Sequence, residues 1–189
     1  MIDEAPRRLT PSVDMAREWH RRIFIGVAAL DAYAGNIRDS DPALPDLIGY
    51  EVRVGNRLGL PSTDVPRALE GFEQAVQRAT AVLDAAIPLG EAPSDPAQVE
   101  AVLTLCGQAH GEWIRIHPFA NGNGRTARLW TRWVALRFGL PPFVRLMPRP
   151  LGDLYAGASA KSMDGDHRAI IGLFHTMLDL ALKGPAIQK

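Results

Sequence analysis

The sequence predicts a mainly α-helical fold, a helical bundle around one central helix, with a short β-hairpin after the first helix. Apolar residues recur every three or four positions over most of the 189 residues, as on the buried face of a helix. One stretch, residues 50–61, instead alternates in the manner of strands. Because prolines and glycines fall between these segments and no repeat or linker interrupts them, we expect a single domain over residues 1–189.

The composition is that of an ordinary soluble globular protein, with 47% hydrophobic and 22% charged residues. The formal net charge is zero, so we expect no nucleic-acid partner and no anionic membrane partner. No apolar run reaches the roughly 18 residues of a membrane helix, and the first ten residues lack the apolar stretch of a secretion signal. The expected location is therefore cytoplasmic.

The first helix is predicted to begin at residues 10–12, where two hydroxyl side chains flank a proline. It should end at the glycine and asparagine of positions 35 and 36, and its apolar stripe consists of Val13, Trp19, Ile23, Val27 and Leu30. His20 lies on this helix and is interpreted as a surface or hydrogen-bonded structural residue. Arg38 is expected to tie a loop to the core rather than to bind substrate.

The helical period is lost from residue 39 to residue 61, where prolines and glycines are frequent. Tyr50, Val52, Val54 and Leu58 alternate around a Gly-Asn pair at positions 55 and 56. This alternation predicts a short β-hairpin, and a solvated connector is the alternative.

The second and third helices have clear start and stop signals. One should start at residues 64–66 and stop at Pro88 and Gly90; the other should start at residues 94–96 and run to Ile116. Cys106 lies on the apolar face of the latter and is predicted to be an inert core thiol; as the one cysteine it also excludes an intramolecular disulfide. His110 precedes His117 by seven residues. No third metal ligand is evident, so a packed or hydrogen-bonded histidine is favoured over a metal pair.

Residues 117–128, with the sequence HPFANGNGRTAR, combine several features of an anion site. His117 precedes a proline, so it should leave the helix in extended backbone. Gly122 and Gly124 allow left-handed angles and a close approach of the backbone to a ligand. A turn followed by a helix N-terminus presents N–H groups to an anion, and Arg125 and Arg128 lie three residues apart on one face of that helix. The pattern predicts a phosphate site.

The motif loop and the helix that begins in it should occupy residues 117–138, and this helix should form the buried centre of the fold. Two further helices are predicted, one from about Leu151 to Ser162 and one from residues 164–166 to the Gly-Pro pair at positions 184 and 185.

HPFANGNGRTAR resembles the signature of the Fic (Fido) family, HxFx(D/E)GNGRxxR, and departs from it at one specified position, Asn121. Residues 19–24 and 34–38 also resemble the H..lF…AGxxR region of that family. The resemblance implies a Fic fold and an enzyme that transfers AMP from ATP, with Mg²⁺, to a hydroxyl side chain of a target protein. It makes His117 the general base, and it assigns phosphate contacts to Asn121, Gly122, Asn123, Gly124, Arg125, Thr126 and Arg128.

Two further roles follow from the resemblance. Tyr155 lies where the family often has a tyrosine beside the adenine, with core packing as the alternative. The hairpin corresponds to a flap that holds the target segment by strand addition, through Val52, Arg53, Val54, Gly55, Asn56 and Arg57.

Asn121 replaces the carboxylate that normally holds Mg²⁺ in the family. Its single neutral oxygen should bind the ion more weakly. Three outcomes are open: weaker Mg²⁺-dependent AMP transfer, transfer of another phosphate-containing group, or a nucleotide- or partner-binding domain with little activity. The family's inhibitory (S/T)xxxE(G/N) pattern has no match in this sequence, so either a separate antitoxin supplies it or the chain is uninhibited.

Overall fold

The computed structural model describes residues 2–26, 33–150 and 152–183, without the side chains of residues 2–4. Within these ranges the fold is mainly helical, as predicted. The α-helices are α1 (Val13–Ile23), α2 (Val65–Ala86), α3 (Pro96–Ile116), α4 (Asn123–Arg137), α5 (Asp153–Met163) and α6 (Arg168–Lys183). The strands β1 (Arg53–Val54) and β2 (Arg57–Leu58) form an antiparallel hairpin. Short 3-10 turns cover Ile2–Arg7, Pro45–Leu47 and Ser62–Asp64.

Helices α3 and α4 form the centre of the core, joined by a cluster of aromatic rings. Trp130 of α4 packs edge to face on Trp19 of α1 and on Phe72 of α2, with ring centroids 5.0 and 5.2 Å apart. Trp113 of α3 lies 5.8 Å from the same ring. All four rings are almost fully buried. The hydrophobic cluster therefore holds α3 and α4 in a fixed relation, and the motif lies in the loop between them and in the first turns of α4.

Side-chain caps start two of the helices where the sequence predicts them. Ser12 Oγ accepts the Met15 N–H at 3.3 Å, and Asp95 Oδ1 accepts the Gln98 N–H at 2.9 Å. These caps satisfy backbone donors that an α-helix leaves free in its first turn.

Two predicted helix boundaries are wrong. The first helix ends at Ile23 and not near Gly35, because the turn that follows contains Gly26 with φ of 78°, outside the helical range. The predicted stripe positions Val27 and Leu30 lie outside the described residues. Helix α6 begins at Arg168 rather than at residues 164–166, since Asp166 accepts the Arg168 N–H at 3.0 Å from outside the helix.

Three further predictions concern the ends of the last two helices, Cys106 and membrane-spanning helices. The start predicted at Leu151 and the stop at positions 184 and 185 lie outside the described residues. Cys106 is fully buried, and burial raises the pKa of its thiol far above the ordinary value, as expected of an inert core residue. No helix in the described part of the chain is long and apolar enough to cross a membrane.

The predicted hairpin is present, and a single buried side chain fastens both of its ends. Val54 pairs with Arg57 and Arg53 with Leu58 across a turn in which Gly55 has φ of 61°. Arg38 donates from Nη1 to the carbonyl oxygen of Tyr50 at 2.7 Å and from Nη2 to that of Leu60 at 2.9 Å. We call residues 50–61 the flap.

Candidate active site

A cavity of about 300 Å³ lies where the end of α3, the start of α4, the flap and α5 meet. This volume is within the range of small-molecule sites. Three motif residues line it, His117, Gly124 and Arg128, together with the flap residues Val54 and Arg57. Larger cavities of about 420 and 510 Å³ lie elsewhere and include no motif residue.

The backbone of His117 is left-handed, with φ of 54° and ψ of 57°, and the prediction of extended backbone is wrong. The proline that follows disfavours the right-handed helical region, but the chain reverses at the end of α3 through the left-handed region instead. The His117 N–H still donates to the Trp113 carbonyl oxygen at 3.0 Å, and its own carbonyl accepts from Arg38 Nε at 2.9 Å. These two bonds place the imidazole at the cavity wall.

The hydrogen bonds of the His117 ring determine which nitrogen is free. Nδ1 lies 2.9 Å from the carbonyl oxygen of Ile114. Because a carbonyl oxygen only accepts, Nδ1 carries the proton and Nε2 keeps its lone pair. Burial, together with the charge of Arg38, holds the pKa of His117 below its ordinary value, although the bond to Ile114 opposes this shift. The ring is therefore a neutral base with an available Nε2.

Asn123 and Thr126 hold the motif loop together and do not line the cavity. Asn123 Oδ1 accepts the Phe119 N–H at 2.9 Å, while its Nδ2 donates to the Phe119 carbonyl oxygen at 2.7 Å. Thr126 Oγ1 donates to the carbonyl oxygen of Gly122 at 3.2 Å. Both side chains are buried. The phosphate contacts predicted for them remain predictions.

The two glycines of the motif have different roles. Gly122 has φ of 80°, and a Cβ there would lie 2.8 Å from Phe24 and 2.9 Å from His20, so glycine is required. Gly124 does not take the left-handed angles predicted for it, because it belongs to the first turn of α4. It faces the cavity, and a Cβ would meet Arg128 Nη1 at 3.5 Å.

His20 is a buried structural residue that packs against the motif loop and is hydrogen-bonded to it. The Gly35 N–H donates to Nδ1 at 2.8 Å, so Nε2 carries the proton and donates to the Asn121 carbonyl oxygen at 2.8 Å. The ring stacks on Phe119 with centroids 3.8 Å apart. Burial lowers the pKa of His20 to about 4, so it stays neutral.

The donor groups of the site do not fit an Mg²⁺ ion held by the protein. The exposed side chain of Asn121 does not line the cavity, and its Oδ1 already accepts the Gly122 N–H at 2.6 Å. Among the described residues that line the cavity none is a carboxylate, the ligand that Mg²⁺ prefers. The described residues also contain no cluster of three or more histidine, cysteine, aspartate or glutamate side chains able to hold a metal.

The two arginines of the motif lie in different surroundings. Arg128 is buried and lines the cavity, and its Nε and Nη2 donate to the Leu146 carbonyl oxygen at 3.2 and 3.0 Å. The guanidinium of Arg125 lies 4.5 Å from the centroid of the Phe24 ring, a cation–π contact outside the cavity lining. Only the second arginine is thus presented to a ligand in the cavity.

Tyr155 forms part of the cavity wall and is anchored from behind by His110. The Tyr155 hydroxyl and His110 Nε2 are 2.8 Å apart, and His110 is fully buried, so it is the hydrogen-bonded histidine predicted from the sequence. The remaining wall of α5 is formed by Ala156, Ser159, Ala160 and Met163. Sequence reasoning missed these residues and Arg149, because nothing in their local pattern marks them as neighbours of the motif.

Arg38 joins the flap to the motif loop. Besides the two flap carbonyls and that of His117, its Nη2 donates to the carbonyl oxygen of Ile116 at 3.1 Å. The side chain is fully buried, and the prediction that it ties a loop to the core is confirmed.

The chain is similar to known proteins of one family. The model of the Fic/DOC family matches residues 10–135. Protein adenylyltransferase fic-1 of Caenorhabditis elegans is 36% identical over 63 residues, which are 33% of this chain and 12% of the relative. Protein adenylyltransferase Fic of Drosophila melanogaster is 35% identical over 63 residues, with coverage of 33% and 12%. For the same-named protein of Drosophila virilis the identity is 35% and the coverage 33% and 13%. The chain thus spans about an eighth of the length of these relatives.

Proposed function

Because the chain belongs to the Fic/DOC family, we propose that it is a protein adenylyltransferase that moves AMP from ATP to a hydroxyl side chain of a target protein. The observation that carries this proposal is the state of His117, a neutral base whose free Nε2 shares a cavity with Arg128. The names of the three relatives support the same reaction.

In the proposed reaction His117 Nε2 takes the proton of the target hydroxyl as its oxygen attacks the α-phosphorus of ATP. The new bond joins that oxygen to the α-phosphorus. The bond from the α-phosphorus to the oxygen bridging to the β-phosphate breaks, and pyrophosphate leaves with that electron pair. Such chemistry depends mainly on positioning and on neutralising charge.

Arg128 is proposed to orient the phosphates, helped by the backbone N–H groups at the start of α4 near Gly124. The contacts of Asn121, Gly122, Asn123, Arg125 and Thr126 act on the loop rather than on the cavity. We therefore propose that these residues shape the phosphate site from outside, and that Tyr155 bounds the nucleoside. Mg²⁺ would enter with the phosphates and not as an ion held by the protein.

The flap is proposed to hold the target segment. The Gly59 N–H donates to the Val52 carbonyl oxygen at 2.9 Å, and bonded and non-bonded pairs alternate in an antiparallel ladder. The Arg53–Leu58 pair is therefore the non-bonded one, and the backbone groups of Arg53 point to the open edge of β1. An extended target can add there as a strand, with Val54 and Arg57 on the face toward the cavity.

Asn121 favours a second candidate, a Fic domain that binds a nucleotide or a protein partner without transfer, or that transfers another phosphate-containing group. A separate inhibitory partner is a further proposal, since the sequence lacks the inhibitory pattern.

The test is incubation of the chain and of His117→Ala in a cell lysate with ATP labelled at the α- or the γ-phosphate. AMP transfer predicts protein labelling from the α-label only, and only by the unchanged chain. Labelling from the γ-label would mean phosphorylation, and no labelling with retained ATP binding would favour the binding domain.

A further inference from the structure

The cavity has an unbalanced positive charge. Arg57 of β2, Arg128 of α4 and Arg149 from the segment between α4 and α5 line it, and the part of the chain that the structure describes adds no acidic residue to its lining. The chain as a whole has no formal net charge, so this concentration is local. Burial lowers the pKa of His117, and Arg57 is paired with Asp164 at 3.2 Å, so Arg128 and Arg149 carry the charge that is not balanced at the site.

Each of these arginines keeps donors for a ligand. Arg57 contacts Asp164 through Nε and Nη2 at 3.2 Å, which leaves Nη1. Arg128 uses Nε and Nη2 on the Leu146 carbonyl, and its Nη1 points toward Gly124. Arg149 makes no hydrogen bond or ion pair with any residue that the structure describes, so all five of its N–H groups are available. Burial raises the pKa of the Tyr155 hydroxyl; Arg128 opposes this rise most strongly, and the charge of Arg149 opposes it to a smaller extent.

Arg128 also fixes the segment that carries Arg149. Its bonds to the Leu146 carbonyl oxygen hold that segment three residues before Arg149. Arg128 and Arg149 line the same cavity, and two like charges repel each other unless an anion binds between them, so a bound polyphosphate should be favoured over an empty site.

We infer that arginines rather than a protein-held divalent ion neutralise the phosphates of the bound nucleotide, and that Arg149, outside the motif, binds the phosphates together with Arg128. The inference rests on the proposed function for the identity of the ligand. Its basis is the donor set: three guanidinium groups on the cavity, no carboxylate there, and an amide at position 121 that is bonded to the loop. Guanidinium groups bind phosphate without a metal; Arg149 can do so through two nitrogens, whereas Arg57 and Arg128 each offer Nη1.

The experiment is calorimetric titration with ATP at constant ionic strength, once with EDTA and once with excess Mg²⁺. The proteins are the unchanged chain, Arg149→Gln and the matched control Arg145→Gln, which removes an exposed arginine of the same segment outside this cavity. We expect ATP to bind in EDTA at least as tightly as in Mg²⁺. Arg149→Gln should weaken binding in EDTA about fivefold to tenfold, as the loss of a partly exposed charge-assisted contact, and Arg145→Gln should not.

Binding that requires Mg²⁺, or equal losses in the two variants, would overturn the inference while the labelling experiment could still support AMP transfer. Binding in EDTA that depends on Arg149, in a chain that labels no protein, would retain the inference and overturn the proposed enzyme. If ATP binds under neither condition, both are wrong.

Discussion

The motif loop and the flap face the same cavity but are built in opposite ways. The loop is held from within by the buried Asn123 and from beneath by His20, which stacks on Phe119. The flap has strands of two residues each and an exposed tip. Its ends are fastened by Arg38, and its second strand contacts α5 through the exposed Arg57–Asp164 pair.

This difference indicates where precision is needed. The general base and the phosphate contact that we propose need a defined geometry, and the loop that would hold them is packed and hydrogen-bonded. A strand that pairs with many target sequences needs only an open backbone edge, and a segment with few buried contacts opens at low cost in free energy. Changes in the loop should therefore affect the chemical step, and changes in the flap should affect recognition of the target.

The largest effect is expected for His117→Ala. Loss of the base should lower the rate of transfer by about 10² to 10⁴, with ATP binding retained, because Nε2 acts on the proton of the target. Single-turnover labelling and calorimetry measure the two quantities. His175→Ala, on the outer part of α6, is the control. Equal rates for His117→Ala and the unchanged chain would remove His117 from the mechanism.

Arg38→Met should disturb the loop and the flap together. It leaves four carbonyl groups without their donor, and the loss of a buried, multiply bonded cation costs about 3 kcal/mol or more. We expect the melting temperature to fall by about 10 °C. Glu51→Gln is the control, because its carboxylate is 3.7 Å from Arg38 and about half exposed, so its loss should cost under about 1 kcal/mol. Similar melting temperatures for both variants would show that the carbonyl bonds contribute little.

Asn121→Asp should create a dependence on metal. The side chain at position 121 lies outside the cavity lining but only two residues before α4, so the added charge should repel the triphosphate at longer range. ATP binding in EDTA should therefore weaken about threefold to tenfold, and Mg²⁺ bound by the new carboxylate should reverse the loss. Asn121→Ala removes the amide without adding charge and should not respond to Mg²⁺. Superimposed Mg²⁺ titrations of Asn121→Asp and the unchanged chain would place position 121 away from the phosphates.

Arg53→Pro should affect only the flap. Proline removes the outward N–H of β1 that is proposed to pair with the target, so the KM for the target should rise about twofold to tenfold with kcat and ATP affinity unchanged. Arg53→Ala is the control, because it keeps the N–H and so distinguishes an effect of the backbone from an effect of the side chain. Equal KM values for the two variants would argue against strand addition at this edge.

The smallest expected effect is in the pH profile. The pKa of His117 is lowered, chiefly by burial, so the base stays deprotonated below the ordinary histidine value of 6.5. Activity should therefore persist as the pH falls through 6.5 and decline only at lower pH, when Nε2 takes up a proton. The pH dependence of kcat/KM measures this limb. A midpoint of kcat/KM above pH 6.5 would mean that burial and the charge of Arg38 do not lower the pKa of His117.

Much of the site could be predicted because its signals are local. Ser12 and Asp95 start helices by contacts within three residues, and the spacing of His117, Gly124 and Arg128 brings them to one place once α3 meets α4. The prediction that Arg125 and Arg128 share one helix face does not establish that both reach the cavity, because Arg125 contacts the Phe24 ring outside it.

The sequence by itself determined the helical class, the hairpin and the motif that marks the family, since periodicity, turn residues and short spacings act over one or two turns of chain. Only the tertiary structure decided that His117 turns left-handed with Nε2 free, that Arg38 bonds to four carbonyl groups and that Arg149 lines the same cavity as Arg128. These features depend on contacts between residues up to 79 positions apart, such as Arg38 with His117. Such pairs leave no periodic trace, because packing of the whole core brings them together.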